Sequence, residues 1–255
     1  MNLALILQFT RQDLVDRYAG SVLGGLWTFI QPLVNMLVFI LVFSQIMGAR
    51  LPEISGSFSY SVYLIAGLLG WIAFASTLTR TTTAFIDKAH LITKVRLALW
   101  GLPLSIVLSD SIVFLISMGF FLAFLALIEH PISLQFLWIP LIFTLQQGFA
   151  YALGMVLAIL GVFLRDIREL VTVVLQLWFW LTPIVYVIDI IPEAMQPWLQ
   201  LNPMFPVIDA YHAVILLNSN PQPLGLLLLA LVALLLFALG RWLFSRLERD
   251  IRDLI

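Results

Sequence analysis

Long apolar runs separated by short polar interruptions dominate the chain. They cover roughly residues 26–47, 58–78, 101–128, 134–164, 167–188 and 224–239, and a bilayer crossing needs about 20 such residues. Before the first run the pattern changes. Leu3, Ile6, Leu7, Thr10, Leu14 and Tyr18 share one arc of a helical wheel, while Gln8, Gln12 and Asp16 point away. A helix so patterned lies in the headgroup plane, so residues 1–20 are expected to form an N-terminal amphipathic interface helix. Gly20, Gly24 and Gly25 then loosen the chain before the first span. The last run continues into RWLFSRLERDIRDLI, where Leu243, Leu247, Ile251 and Leu254 keep one apolar stripe. Glu248 with Arg252, and Arg249 with Asp253, are spaced i,i+4, so 240–255 reads as a charged helix.

The interruption between the second and third runs, RTTTAFIDKAHLITKVRLALW at 80–100, holds Arg80, Lys88, Lys94 and Arg96, including both lysines of the chain. Phe85, Ile86, Ala89, Ile92 and Thr93 recur at helical spacing, with Asp87, Lys88, His90 and Lys94 mostly on other faces. Such a helix either lies on the lipid surface or docks a cytoplasmic partner. With six crossings, 12 of the 13 basic residues fall on one side and Arg50 alone on the other. Short loops rich in Lys and Arg are held on the cytoplasmic side. Both termini and the 80–100 loop are therefore expected in the cytoplasm, with Arg11, Arg17, Arg165 and Asp166 at that interface.

Residues 189–223 fit neither a span nor a solvated loop. Pro192, Pro197, Pro203, Pro206, Pro221 and Pro223 forbid one continuous helix, yet 194–199 and 205–217 are apolar enough to enter the bilayer edge, and no Lys or Arg occurs. Two short helices that dip in and return, with Asn202-Pro203 as the turn, are expected on the outer face. Broken helix at membrane depth survives only under protein or along a cavity, so the segment is expected to border or plug a pathway; a hairpin that merely packs is the alternative.

Composition narrows the function classes. The chain of 255 residues is 62% hydrophobic and 11% charged, with mean hydropathy +1.06, against about 25% charged in soluble domains. The expectation is an all-α integral membrane protein of six transmembrane helices. A net charge of -1 points to no nucleic-acid partner. With no cysteine, disulfides and thiolate sites are excluded. Arg11, Asp13, Asp16 and Arg17 interrupt any cleavable signal-peptide pattern.

No catalytic constellation is visible. There is no GxxxxGK[ST] motif, and His90, His130 and His212 are far apart with no metal-ligand spacing. Asp166 and Glu169 beside Arg165 and Arg168 read as a local ion-pair network rather than an acid/base pair. Asp110 lies well inside the third span, about 13 Å past Gly101 along a helix; an intramembrane carboxylate is a functional candidate, and bonding to a neighbouring helix's serine or backbone is the alternative. Trp27, Phe39 and Phe43 in the first span, and Trp178, Trp180 and Tyr186 in the fifth, could offer stacking faces to sugars, or simply pack. Gly148 with Ala152 and Gly154 with Ala158 are small-residue pairs that suit a central fourth helix.

LILQFTRQDLVDRYAGSVLGGLWTFIQP at 5–32, GVFLRDIREL at 161–170, TPIVY at 182–186 and NPMFPVIDAYH at 202–212 resemble the permease subunits of ABC-2-type polysaccharide exporters, most of all the O-antigen permeases known as Wzm. The resemblance covers essentially the whole chain and makes 1–255 a single transmembrane domain. It implies a homodimer of permeases in the bacterial cytoplasmic (inner) membrane with two separate ATPase chains beneath. ATP and Mg would then bind the ATPase, with no cofactor on this chain, and the cargo would be a lipid-linked polysaccharide. Residues 84–97 match the cytoplasmic helix seated in the ATPase cleft, which places Phe85, Asp87, Lys88, His90, Lys94 and Arg96 at that contact. Residues 190–217 match the extracellular gate helices, with Trp198, Asn202, Pro203, Phe205 and Pro206 at the gate. Teichoic-acid, capsule, lipid or drug export shares this architecture and stays open. A secondary transporter would show inverted repeats and several coupling carboxylates, and a membrane glycosyltransferase paired acids facing a cavity; neither pattern is visible.

Overall fold

Inside a bilayer no water is available to backbone N–H and C=O groups, so an apolar chain satisfies them within helices. The computed structural model describes residues 3–46, 58–92 and 99–254, and every regular element among them is helical. In chain order these are α1 (Leu3–Asp16), α2 (Trp27–Ile40, prolonged by a π-helical turn Leu41–Ile46), α3 (Ser59–Thr82), α4 (Ala84–Asp87), α5 (Ala89–Ile92), α6 (Gly101–Leu127), α7 (Ile139–Phe163, entered through a 3-10 turn Leu134–Trp138), α8 (Ile167–Trp180), α9 (Gln196–Gln200), α10 (Phe205–Ile215) and α11 (Pro223–Leu254). Among the described residues five helical stretches are long and apolar enough to cross a membrane: Gly24–Ser44, Ser59–Thr82, Gly101–Leu127, Leu134–Phe163 and Pro223–Leu254. They correspond to the first, second, third, fourth and sixth expected spans; the end of the first, at Met47, lies outside the described residues.

The expected fifth span, 167–188, is not one helix. α8 stops at Trp180 after 14 residues, a rise of about 21 Å against about 30 Å of hydrocarbon. Pro183 has no N–H for the Phe179 carbonyl, and it turns Thr182 away from helical geometry. Two tyrosines of α3 bind carbonyls of the turn that follows. The Tyr60 hydroxyl donates to Val185 at 2.6 Å, and the Tyr63 hydroxyl lies 3.1 Å from the Pro183 carbonyl and 2.7 Å from that of Tyr186.

The core forms around α3 and α7. α3 packs on α6, α7, α8 and α10, and α7 runs along α11. These approaches need missing side chains. A Cβ on Gly154 of α7 would lie 2.0 Å from Thr81 Oγ1, and one on Gly70 of α3 would lie 2.7 Å from the Tyr211 ring. Gly70 thereby admits α10, whose Val207, Ile208, Tyr211, Val214 and Ile215 are fully buried. Of the two expected small-residue pairs, Gly154 with Ala158 holds a helix contact, but Gly148 meets open space although Ala152 is buried; that face of α7 turns outward before it reaches Gly148.

A second, smaller core sits where the basic residues collect. Phe85, Ile92, Leu99 and Leu102 pack with Met155 and Ile159 of α7 and with Phe244 and Ile251 of α11. It ties the α4–α5 segment to α7 and to the charged end of α11.

Candidate functional site

α1 docks on α6 and carries its polar groups into the bundle. Ile6, Thr10 and Asp13 are buried, at spacings of four and three, while Leu7 is 55% exposed. The docked face is therefore rotated from the expected arc, because Asp13 finds a cation. Arg80, in the last turn of α3, places Nη2 2.6 Å from both Asp13 oxygens and Nη1 2.8 Å from Asp110. Asp110 also accepts from Arg17, from Thr77 at 3.2 Å and from Ser76 at 3.3 Å, and the Ser109 hydroxyl bonds Asp13. Two cations and two carboxylates thus meet at the crossing of α1, α3 and α6. Asp110 gains both a serine, as the sequence allowed, and two guanidiniums that local spacing does not reveal.

The 84–97 region is only partly described. α4 and α5 are separated at Lys88, whose Nζ is 3.0 Å from Asp16 and so joins this region to α1. Phe85 is fully buried, so it does not face a partner as expected; it anchors the segment from below through the second core. Ile86 and Asp87 are the exposed residues of α4, and Thr83 donates to Asp87 at 2.6 Å. The side chain of His90, and Lys94 and Arg96 altogether, lie outside the described residues. A groove of about 440 Å3 runs between this segment, Gly161, Val162, Arg165, Arg168 and Leu254. Among the described residues Arg165, Asp166, Arg168 and Glu169 form no ion pair. The expected network is absent because all four are exposed, where water competes for each charge. Arg11 is exposed as well. At the end of α11, Glu248 pairs with Arg252 at 3.0 Å.

The expected aromatic path divides. Trp178 is enclosed by rings, with centroids 6.2 Å from Trp71, 5.3 Å from Phe74 and 6.4 Å from Phe149. It is a packing residue. Phe43 leans on Tyr60 at 5.3 Å, and Phe39 packs against the same core. Tyr186 turns back to donate to the Trp180 carbonyl at 2.9 Å. Trp180 and Trp27 stay exposed, the latter donating to Ser21 at 2.9 Å. Trp180 borders a cleft of about 610 Å3 between α3 and α8, with Ser76, Thr79, Arg80, Thr172 and Gln176 as polar groups and Trp71 and Phe179 among its apolar walls. A second cavity of about 190 Å3 shares Ile72 and Ser76 with it and reaches Gln31 and Asn35 of α2 and Asp110. Hydroxyls and amides beside flat rings can exchange hydrogen bonds with a sliding polar ligand.

At the opposite end, Asn202 binds the turn between α9 and α10 to the end of α8. Its Oδ1 accepts from Trp178 Nε1 at 2.5 Å and from the Met204 N–H at 2.9 Å, and its Nδ2 donates to Thr182 Oγ1 at 2.8 Å and the Leu181 carbonyl at 3.1 Å. Pro203 and Phe205 are half-buried, and Pro206 stands in the first turn of α10 pressed on α11, where a Cβ on Gly225 would be 2.6 Å away. Trp198 is exposed. His212 stacks on Tyr63 at 3.9 Å and its Nε2 lies 3.0 Å from the Tyr63 carbonyl. His130 reaches the Ile215 carbonyl at 2.7 Å.

Among the described residues no group of three or more His, Asp or Glu could hold a metal ion. Asp13, Tyr60, Tyr63, Thr172 and Gln176 were not singled out by sequence reasoning. Asp13 carried a signal: it follows Ile6 and Thr10 at helical spacing.

Residues 4–216 match the family described as ABC-2 type transporter. The chain is 30% identical over 254 residues to the O-antigen export system permease protein RfbA of Myxococcus xanthus, covering 98% of this chain and 95% of that protein. The protein of the same name from Klebsiella pneumoniae is 29% identical over 252 residues, with the same coverage. The polysialic acid transport protein KpsM of Escherichia coli is 19% identical over 242 residues, 93% of this chain and 91% of that one.

Proposed function

The chain belongs to the ABC-2 type transporter family, and from that premise we propose that it is the permease subunit of an ATP-driven exporter of lipid-linked polysaccharide of the O-antigen type. The observation that carries this reading is similarity over 98% of the chain to two O-antigen export permeases. Two copies form the working unit, and two separate ATPase chains bind ATP and Mg below it in the cytoplasm. The membrane is the bacterial inner membrane, and residues 1–255 act as one transmembrane domain with both termini inside.

In this reading α8 and the turn after it make the fifth of six crossings, and α1 rests at the cytoplasmic interface with Arg11, Arg17, Arg165 and Asp166. The ATPase meets the 84–97 region through Asp87, Lys88, His90, Lys94 and Arg96, together with Ile86. Phe85 transmits its displacement to α7 and α11. Polymer passes along the face shared by α2, α3 and α8, touching Trp27, Trp180, Thr172 and Gln176. α9 and α10 close the outer end, with Asn202 as their hinge.

Deletion of the gene followed by staining of surface polysaccharide tests the proposal. Long polymer disappears from the surface while lipid-linked polymer accumulates inside, and the intact gene restores export. Normal surface polymer in the deletion strain would refute it. Co-purification tests the partner: ATP hydrolysis follows a second chain, and the isolated permease has none.

A further inference from the structure

We infer that a pocket at the charged end of α11 binds the headgroup of an anionic membrane phospholipid. Its walls are Trp100, Tyr151, Met155, Phe237 and Phe244, and among the described residues its one charged group is Arg241. The cavity is about 280 Å3, roughly nine water volumes. It holds a phosphate and its glycerol but not a whole lipid.

Three observations select this ligand. Arg241 is the first charged residue after the apolar stretch from Leu224 to Gly240, so its guanidinium stands where hydrocarbon gives way to headgroups. It is exposed and forms no ion pair among the described residues. The anion abundant at that depth is lipid phosphate, and basic pockets between spans are known traps for acidic headgroups. Second, the walls are aromatic and already ordered. Tyr151 donates to the Trp100 carbonyl at 3.1 Å and its ring lies 6.2 Å from that of Phe237, and rings of this kind settle at the headgroup boundary. Third, the same face of α11 continues as exposed Phe237 and Leu234, three or four residues apart, a strip along which acyl chains can lie. A protein covering this face would have to bring its own anion to Arg241 or bury that cation unpaired, which desolvation strongly disfavours; lipid phosphate brings it already.

The inference needs α11 to cross the bilayer and does not depend on the cargo. The test uses the full chain extracted from vesicles of equal phosphatidylglycerol and phosphatidylethanolamine, with retained lipid counted by native mass spectrometry. Wild-type protein keeps one phosphatidylglycerol per chain in preference to phosphatidylethanolamine. Arg241→Gln lowers that retention about fivefold or more, the effect of one basic side chain at a membrane surface. Arg241→Lys keeps most of it. Arg246→Gln, which removes an exposed cation of the same helix outside the pocket, leaves it unchanged. Equal retention by Arg241→Gln, or equal losses at Arg241 and Arg246, would overturn the site; the second would mean a diffuse surface charge.

Discussion

Asp110 is buried in an apolar helix, 3% exposed, and is tolerated because Arg17, Arg80, Ser76 and Thr77 all turn toward it. Removing one member of such a group leaves the others uncompensated, which costs more than the pair itself contributes. Asp110→Ala is therefore expected to lower stability by about 3 kcal/mol, read as reduced resistance of the purified permease to heat or denaturant. The combined change of Asp110, Arg17 and Arg80 to neutral residues should recover part of that loss. If Asp110→Ala unfolds like wild type, the cluster is not the link that holds α1 to the bundle. The sequence marked Asp110 as unusual, and it placed Arg80 in a loop. A guanidinium at the end of a span and a carboxylate thirty residues on meet only when α3 and α6 pack side by side.

At the level of elements, α8 and the turn that follows it depart most from the apolar pattern. Hydropathy continues through 181–188, but Pro183 ends the ladder, and the chain turns under Tyr60 and Tyr63. Asn202 then joins this broken end to the α9–α10 turn. Asn202→Ala leaves the Trp178 N–H without its acceptor and costs about 1–3 kcal/mol locally. We expect the outer helices to loosen while α3 and α7 hold. In the proposed exporter that gives leak of small solutes through reconstituted vesicles, or raised basal ATP hydrolysis. A tight vesicle with wild-type hydrolysis would leave Asn202 as a packing residue only. Proline spacing announced the two short helices and their turn at Asn202-Pro203. The depth to which α10 sinks was not legible, because it depends on Gly67 and Gly70 of α3 leaving room for His212 and Tyr211.

For the whole molecule, the exposed apolar surface of α2 and α8 and the cleft between α3 and α8 define one side of the chain. The proposed path runs there, and it separates two neighbouring tryptophans. A chain without cysteine allows a direct comparison. Cysteine placed at Trp180 or Gln176 is expected to react with an aqueous thiol reagent in the transporting complex, and cysteine at Trp178 to be protected by the rings of Trp71, Phe74 and Phe149. Labelling at 178 with protection at 176 and 180 would move the path to another face.

Run length and composition by themselves determined that this is an all-helical membrane protein, because each backbone must bond itself where no water is present, and that requirement is written into consecutive residues. Pro183 and the prolines of 192–223 bounded helices for the same local reason, whereas Pro32 is carried inside α2. Charge bias, a property of loops, supplied the orientation that the proposed topology adopts. Only the tertiary structure decided which residues of each helix face protein. Phe85 and Trp178 turned inward, and Asp13 found Arg80, through contacts with chain far away in sequence. Side chains of one type can pack, pair or line a cleft, and the choice among these belongs to neighbours that no local spacing encodes.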